Sequence, residues 1–465
     1  MNDAALLHRI DAALLPVTRF AGEDPRFGVR ARMEHYRVPA FSYAVAMPDG
    51  TISARAHGTI AWPGGPSADV DTLFQAASMS KVVNALLALQ LVAEGRIGLD
   101  EDVNAKLRSW QVPTNDFTRS RAVTLRRILT HRAGLTVHGF RGYPTGTRLP
   151  SVIEVLEGRD GTNKPVFVDI EPDSQQRYSG GGTTVAQLLI EDLTGKPYAR
   201  VARERVFDPL GLTRTTFDVL SYDASPANVA CGHRPDYALV VGGWHRFVQL
   251  GAGGLWTTPR EFLRVLAEIG AAYRGASRLL PERFARLLLE RPYGDARGLG
   301  PMVYGHGPSL RFFHDGDNQG YHCGGLYYPN AGYGAVAMTN GDLGTQLWRE
   351  HLNGVADVCG WPGYLEAPCV PIALAPEALA RYAGTYRITA GYEAAQRIAV
   401  RLEDGQLVGE IEGLPQYRLT PVSRTDFRNR SSPFTTRFGL AADGRIESLT
   451  ILEGDDPMIT AVRSD

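Results

Sequence analysis

Ser78 and Lys81 stand three residues apart at the head of an apolar run. A serine hydroxyl becomes a useful nucleophile only when a neighbouring group takes its proton. Arginine cannot do so, because it stays protonated at any working pH, whereas a buried lysine beside other cations can release its proton. The chain uses arginine almost throughout: Lys81, Lys106, Lys164 and Lys196 are its only lysines, against a Lys+Arg total of 49. Of these, only Lys81 has a serine three positions upstream. Val82, Val83, Leu86, Leu87, Leu89, Leu91, Val92 and Ala93 then recur at helical spacing before Gly95, which predicts a helix buried on a broad face. Positions i and i+3 share a face, so the Lys81 amine falls one turn from the Ser78 hydroxyl. The N–H groups of that first turn would point at whatever Ser78 attacks. By itself the pattern also fits a serine N-cap followed by a lysine in solvent.

Two further clusters separate these readings. Tyr178-Ser179-Gly180 precedes Gly181-Gly182 and a helical run through Ala186, Leu188, Leu189 and Ile190. His314-Asp315-Gly316 precedes Gly320-Tyr321 and the strand-like stretch Gly334-Ala335-Val336-Ala337-Met338. In this order the triple resembles the S-x-x-K, Y-x-N and K-T-G (or H-x-G) motifs of the class C β-lactamase, penicillin-binding protein and esterase superfamily, including its D-stereospecific peptidase branch. Connecting stretches are similar too. Residues 123–135, which contain Leu129-Thr130-His131-Arg132-Ala133-Gly134-Leu135, resemble that family's "LLTHTSGL" segment. Asp208-Pro209-Leu210-Gly211-Leu212 and Gly253-Gly254-Leu255-Trp256-Thr257-Thr258 resemble its scaffold stretches, and the likeness runs from about residue 30 to about residue 345.

The resemblance implies a serine hydrolase in which Ser78 forms an acyl-enzyme on a small ester or peptide amide, with Lys81, Tyr178 and His314 as its catalytic partners. Free lysine and tyrosine side chains hold their protons well above neutrality. Lys81 and Tyr178 are therefore expected to be tuned as one coupled unit. By the family pattern, the N–H groups of Ser78 and Asp317 meet the oxyanion, and Gly180, Asp315 and Gly316 belong to the substrate-binding surface. His314 replaces the lysine of K-T-G and would orient Tyr178 or the substrate. Two departures bear on substrate. Gly180 removes the amide of the family's asparagine, and Asp315 stands where threonine is usual, a possible negative charge beside the acyl site. Both favour an esterase or small-peptide hydrolase over a β-lactamase. Acyl transfer or peptide cyclisation through the same acyl-enzyme is the same-chemistry alternative, and an acylatable binding or sensor protein is the non-enzymatic one.

Composition fits a soluble enzyme: 465 residues, 44% hydrophobic and 21% charged, bury at least one large core. A net charge of -1 offers no case for nucleic acid or an anionic membrane as partner. Charged residues interrupt the first segment, so it does not read as a secretory leader. No run approaches the roughly 18 apolar residues of a membrane span. The expected compartment is the cytoplasm; the oligomeric state is not legible. Cys231, Cys323, Cys359 and Cys369 lack metal or disulfide spacing and read as buried thiols, with Cys323 near enough to the third motif to face the pocket. His131, His138, His306 and His322 are scattered and read as core or surface residues. No cofactor or metal is expected, since the chemistry requires neither.

The elements that must hold these groups follow a mixed α and β order. Residues 41–46 and 51–56 flank Asp49-Gly50 as a hairpin. Helices and long loops fill residues from about 95 to 300, and strands return at 312–338. The resemblance implies an α/β (α+β) arrangement: one antiparallel sheet flanked by helices, built from both ends of the segment, with a helical subdomain inserted and the site at the seam. Proline punctuates residues 362–376, giving a hydrolase domain over 1–361, a linker over 362–376, and a second domain over 377–465. Five strand-like stretches there, with turns at Asp404-Gly405 and Asp443-Gly444, together with Leu379 to Tyr386, resemble a small lipocalin-like β-barrel.

Overall fold

The computed structural model describes residues 3–218, 227–391, 395–412, 414–454 and 456–464. It divides into two compact units, one of residues 1–11 and 28–363, the other of residues 12–27 and 364–465.

The larger unit is built on a six-stranded sheet. The hairpin forms as its sequence predicts, β1 (Ala40–Ala46) and β2 (Ile52–Gly58) turning through Gly50 at φ 87. The other strands are β3 (Met302–Tyr304), β4 (Arg311–Asn318), β5 (Tyr321–Tyr328) and β6 (Tyr333–Thr339), in the order β2-β1-β6-β5-β4-β3. All neighbours are antiparallel, and β1 joins β6 from Phe41 opposite Thr339 to Ala46 opposite Gly334. Strands from both ends of the unit thus share one sheet, as expected.

Five helices matter to the argument: α1 (Asp3–Asp11), α2 (Ser80–Ala93), α3 (Gly180–Thr194), α4 (Pro259–Tyr273) and α5 (Gly344–Cys359). Adjacent residues of β5 show how the sheet is covered. A Cβ placed on Gly324 would meet the Trp348 ring of α5, while one on Gly325 would meet Val336, Leu266 of α4 and Met79. Successive side chains alternate across a strand, so α4 and α5 lie on opposite faces. Both β1 and β5 are buried along their whole length, as such double coverage requires. Helix α2 is enclosed further than its periodicity suggests: every residue from Ser80 to Leu91 is buried.

One edge of β4 positions the site. Strand β3 reaches only Arg311 to Phe313 of β4. Beyond it, the short 3-10 turn Ala77–Met79 packs against the rest of β4.

In the second unit the barrel closes with eight strands: β7 (Gly384–Ala390), β8 (Arg397–Glu403), β9 (Gln406–Ile411), β10 (Tyr417–Pro421), β11 (Asp426–Arg428), β12 (Thr435–Leu440), β13 (Ile446–Glu453) and β14 (Asp456–Arg463). Asp404 at φ 48 and Gly405 at φ 75 make the two-residue turn expected between β8 and β9. Strands β10, β11 and β14 were not among the five read from sequence. The barrel is filled, not hollow: Tyr386, Ile398, Leu407, Phe427, Phe438 and Leu449 form its core, and Phe427 meets Phe438 edge to face at 5.3 Å.

The chain divides differently from the expected boundaries of 361 and 377. Residues 364–376 belong with the barrel, and so does the early segment 12–27. Hydrogen bonds explain both. Ala21 N–H donates to Cys369 O at 2.9 Å, Cys369 N–H to Arg19 O at 2.8 Å, Thr18 N–H to Arg430 O at 3.1 Å, and Ile372 N–H to Pro421 O at 3.0 Å. Such long-range pairing leaves no local signature in the sequence. Among the described residues no helix is long and apolar enough to cross a membrane.

Candidate active site

Ser78 lies in the turn before α2, and α2 itself begins at Ser80. Ala77, just before it, is held at φ 44, a region that costs a residue with a Cβ about 1–3 kcal/mol and persists only where the surroundings impose it. Those surroundings are explicit. Ala76 N–H donates to Leu255 O at 2.8 Å, and Leu255 N–H donates to Ser80 Oγ at 3.1 Å. On the other side Gly316 presses in: a Cβ there would lie 2.3 Å from Ala76 O. The glycine of the third motif is therefore required by backbone contact with the serine turn. Within this buried frame Ser78 alone of residues 72–80 is not fully buried.

Lys81 is buried, 4% exposed, and its Nζ lies 3.0 Å from Ser78 Oγ and 2.7 Å from Ala252 O. The carbonyl anchors one Nζ hydrogen and aims the amine at the serine. Tyr178 completes the group: Lys81 Nζ is 4.9 Å from its ring centroid. Tyr178 is fixed by its neighbours. Arg177 N–H donates to His131 O at 2.8 Å and Ser179 N–H to His131 Nδ1 at 3.1 Å. Ser179 caps α3, its Oγ accepting from Gly182 N–H at 2.8 Å and donating to Thr136 O at 2.7 Å.

His314 is buried, and its Nδ1 is 2.7 Å from Asp315 O. A carbonyl only accepts, so Nδ1 carries the hydrogen and Nε2 is a bare acceptor, which has no partner among the described residues. Burial, with the Lys81 and Arg297 charges, pushes its pKa down to about 3. The ring is neutral at working pH, unlike the lysine it replaces in K-T-G.

The pleat separates His314 from Asp315. His314 pairs with Gly325 and Asp315 with Gly324, so the two point to opposite faces. The Asp315 carboxylate is turned to α5, where its Oδ2 lies 3.9 Å from Arg349. The negative charge expected beside the acyl site thus faces the other side of the sheet. Asp317 follows on β4 with its carboxylate exposed, 3.5 Å from His322 Nδ1. Gly180 opens α3, and its N–H donates to His138 O at 2.9 Å. Its φ is not positive, but a Cβ there would meet His138 O at 3.0 Å and the Phe140 ring at 3.1 Å. The chain at 138–140 therefore occupies space next to position 180.

Three residues escaped the sequence reading. His131 and His138 are not merely core and surface histidines: their rings lie 4.3 Å and 5.0 Å from the Tyr178 ring. Burial first, then the cationic neighbours, holds both below the usual histidine range. The signal for His131 was its place in the recognisable segment before Gly134. Arg297 is the third. Its guanidinium is 5.4 Å from the Tyr178 centroid, and Nη1 is buried with no hydrogen-bond partner among the described residues. Nearby Asp295 is occupied, its Oδ2 by Arg132 at 2.6 Å and its Oδ1 by the main-chain N–H of Arg297 at 2.9 Å. No spacing pattern links residue 297 to 178. Cys323 does not face a pocket: it is buried beneath the serine turn, Sγ 3.3 Å from Ala76 O, and burial pushes its thiol well up.

Comparison with known proteins matches this geometry to a family. The β-lactamase family model matches residues 29–359, and the chain belongs to that family. A domain of unknown function (DUF3471) matches residues 370–460, the barrel. Penicillin-binding protein 4 of Amycolatopsis lactamdurans is 28% identical over 384 residues, 77% of this chain and 96% of that protein. Lovastatin esterase of Penicillium rubens is 24% identical over 62% of this chain and 80% of its own length. Among solved structures, D-amino acid amidase from Ochrobactrum anthropi SV3 superposes with a TM-score of 0.58 at 21% identity, over 77% of this chain and 99% of the amidase, a likeness of fold. The class is serine hydrolase.

Proposed function

We propose that the protein hydrolyses small esters and peptide amides through an acyl-enzyme on Ser78. The observation that carries the reading is the Lys81 amine, 3.0 Å from Ser78 Oγ and held from behind by Ala252 O, with no carboxylate partner among the described residues. A lysine so placed has the serine proton as its evident object. Ser78 Oγ attacks the carbonyl carbon as its proton passes to the Lys81–Tyr178 pair, and the N–H groups of Ser78 and Asp317 receive the oxyanion. The pair then protonates the leaving alcohol or amine. Splitting the reaction through an ester on Ser78 replaces one difficult step by two easier ones.

The surroundings narrow the substrate. The Arg297 guanidinium stands 5.4 Å from the Tyr178 ring centroid, and Asp315 turns its charge away towards Arg349. Gly180 offers no side-chain amide, and 138–140 fills the adjacent space. A substrate that depends on such a hydrogen bond loses about 1–3 kcal/mol, or about 10- to 10²-fold. Activated short-chain esters need it least. We therefore expect kcat/KM for p-nitrophenyl butyrate to exceed that for a chromogenic cephalosporin by a wide margin. Efficient cephalosporin turnover by the unmodified protein would restore β-lactamase as the reading and leave the Ser78 chemistry intact.

A further inference from the structure

Three imidazoles face Tyr178 or Lys81, and they are not equivalent. His131 and His314 are buried, and each has Nδ1 committed, to Ser179 N–H and to Asp315 O. His138 differs on both counts. It is exposed to solvent, and among the described residues its side chain makes no hydrogen bond. Yet its ring is held against the Tyr178 ring with centroids 5.0 Å apart. The backbone fixes it there: His138 O accepts from Gly180 N–H at 2.9 Å and Val137 O from Gly181 N–H at 3.0 Å, with Val137 at φ 64. Glycine at 180 eases the approach, since a Cβ there would stand 3.0 Å from His138 O and ask for a shift of a few tenths of an ångström. The groups facing the ring are Tyr178, His131 and, at longer range, the cations Lys81 and Arg297. Partial burial first, then those two charges, keeps it below the usual histidine range, so it is an unprotonated base at neutral pH.

Resting on the Ser78 acyl-enzyme, we propose that His138 is the base of the second half-reaction, taking a proton from the water that attacks the ester. The water oxygen bonds to the acyl carbon and one of its hydrogens passes to a His138 ring nitrogen. The tetrahedral intermediate then collapses, the bond from the acyl carbon to Ser78 Oγ breaks, and Oγ takes a hydrogen from the Lys81–Tyr178 pair. The imidazolium, lying beside Tyr178, returns its proton to that pair. The acid leaves and the enzyme is restored. A water-accessible base is needed in this step only, because in acylation the serine proton already has Lys81 at 3.0 Å.

The test uses the full chain with p-nitrophenyl acetate and the variants His138→Gln and His138→Gly. First-turnover release of p-nitrophenol should match the unmodified protein in both. Steady-state turnover should fall about 10²-fold, the scale of a lost general base, and an acetyl adduct on Ser78 should accumulate during turnover. Imidazole in the buffer should restore turnover of His138→Gly but not of His138→Gln. In the unmodified protein the deacylation rate should decline in acid, as the His138 ring, held below the usual histidine range, takes up a proton, a limb absent from His138→Gln. Turnover that drops in step with the first phase, that ignores imidazole, or that does not drop overturns the assignment. Absence of any Ser78 adduct in the unmodified protein, with hydrolysis persisting in Ser78→Ala, is a separate result that defeats the acyl-enzyme itself.

Discussion

At Lys81 the side chain divides its contacts between Ala252 O at 2.7 Å and Ser78 Oγ at 3.0 Å, so its reach and direction are set by a main-chain carbonyl. Lys81→Ala should cost at least about 10²-fold in kcat for ester hydrolysis. Lys81→Arg should be nearly as damaging, because a guanidinium keeps the charge but cannot accept a proton. Near-normal turnover in Lys81→Arg would remove the lysine from the proton path. Spacing raised Ser78 and Lys81 as candidates without separating them from an N-cap serine and a solvent lysine, and the family likeness made that choice and added Tyr178 and His314. Arg297 and His138 were not legible in the same way. Each arrives beside Tyr178 through a loop, and neither has a periodic or motif relation to it. Asp315 carried the opposite error: its identity was read correctly, but the alternation that turns it to Arg349 depends on the β4 register, which the motif does not encode.

Strand β4 and the serine turn act as one element. Gly316→Ala would place a methyl 2.3 Å from Ala76 O, and neither backbone can yield cheaply. Overpacking of this kind costs about 1–3 kcal/mol, and here it displaces the turn that carries Ser78. We expect a lowered Tm and loss of ester hydrolysis together. Gly180→Asn is the milder change. Its φ requires no glycine, and the contact with His138 O at 3.0 Å asks for a shift of a few tenths of an ångström. A second element, α5, buries His351 between Phe41 and Tyr43, at ring distances of 5.0 and 4.2 Å, with both nitrogens unpartnered among the described residues. Its pKa, like that of His314, is pushed from 6.5 to about 3 by burial. The unfolded chain takes up a proton below about 6.5 that the folded chain refuses until about 3. Stability therefore falls as pH drops through that window, by up to about 1.4 kcal/mol per pH unit for each group. His351→Phe should raise Tm at pH 5 more than at pH 8; an equal shift at both pH values would show that the imidazole is not the source. The hairpin at Gly50 and the helix after Ser78 were legible because their periods are local. Strands β10 and β11 were not, being five and three residues long, too short for the alternation of Tyr417-Arg418-Leu419-Thr420 or Asp426-Phe427-Arg428 to stand out.

Over the whole molecule, the barrel takes its strands from the last part of the chain but also holds residues 12–27, through hydrogen bonds such as Thr18 N–H to Arg430 O. A chain ending at Gly363 keeps the sheet and every residue of the proposed site, yet leaves residues 12–27 without their barrel partners. It should still be labelled at Ser78 while melting at a lower temperature than the full chain. Loss of labelling in a folded fragment would show that the barrel contributes to the site. The central claim is more direct than any of these: one serine, acylated and then released. Intact mass and peptide mapping of the full protein, sampled through its reaction with a fluorophosphonate probe and with p-nitrophenyl acetate, test it at once. A single adduct on Ser78, stable with the probe and transient with the ester, and absent along with all hydrolysis in Ser78→Ala, is the predicted result. Ester turnover with no adduct on Ser78, or undiminished in Ser78→Ala, would contradict the account.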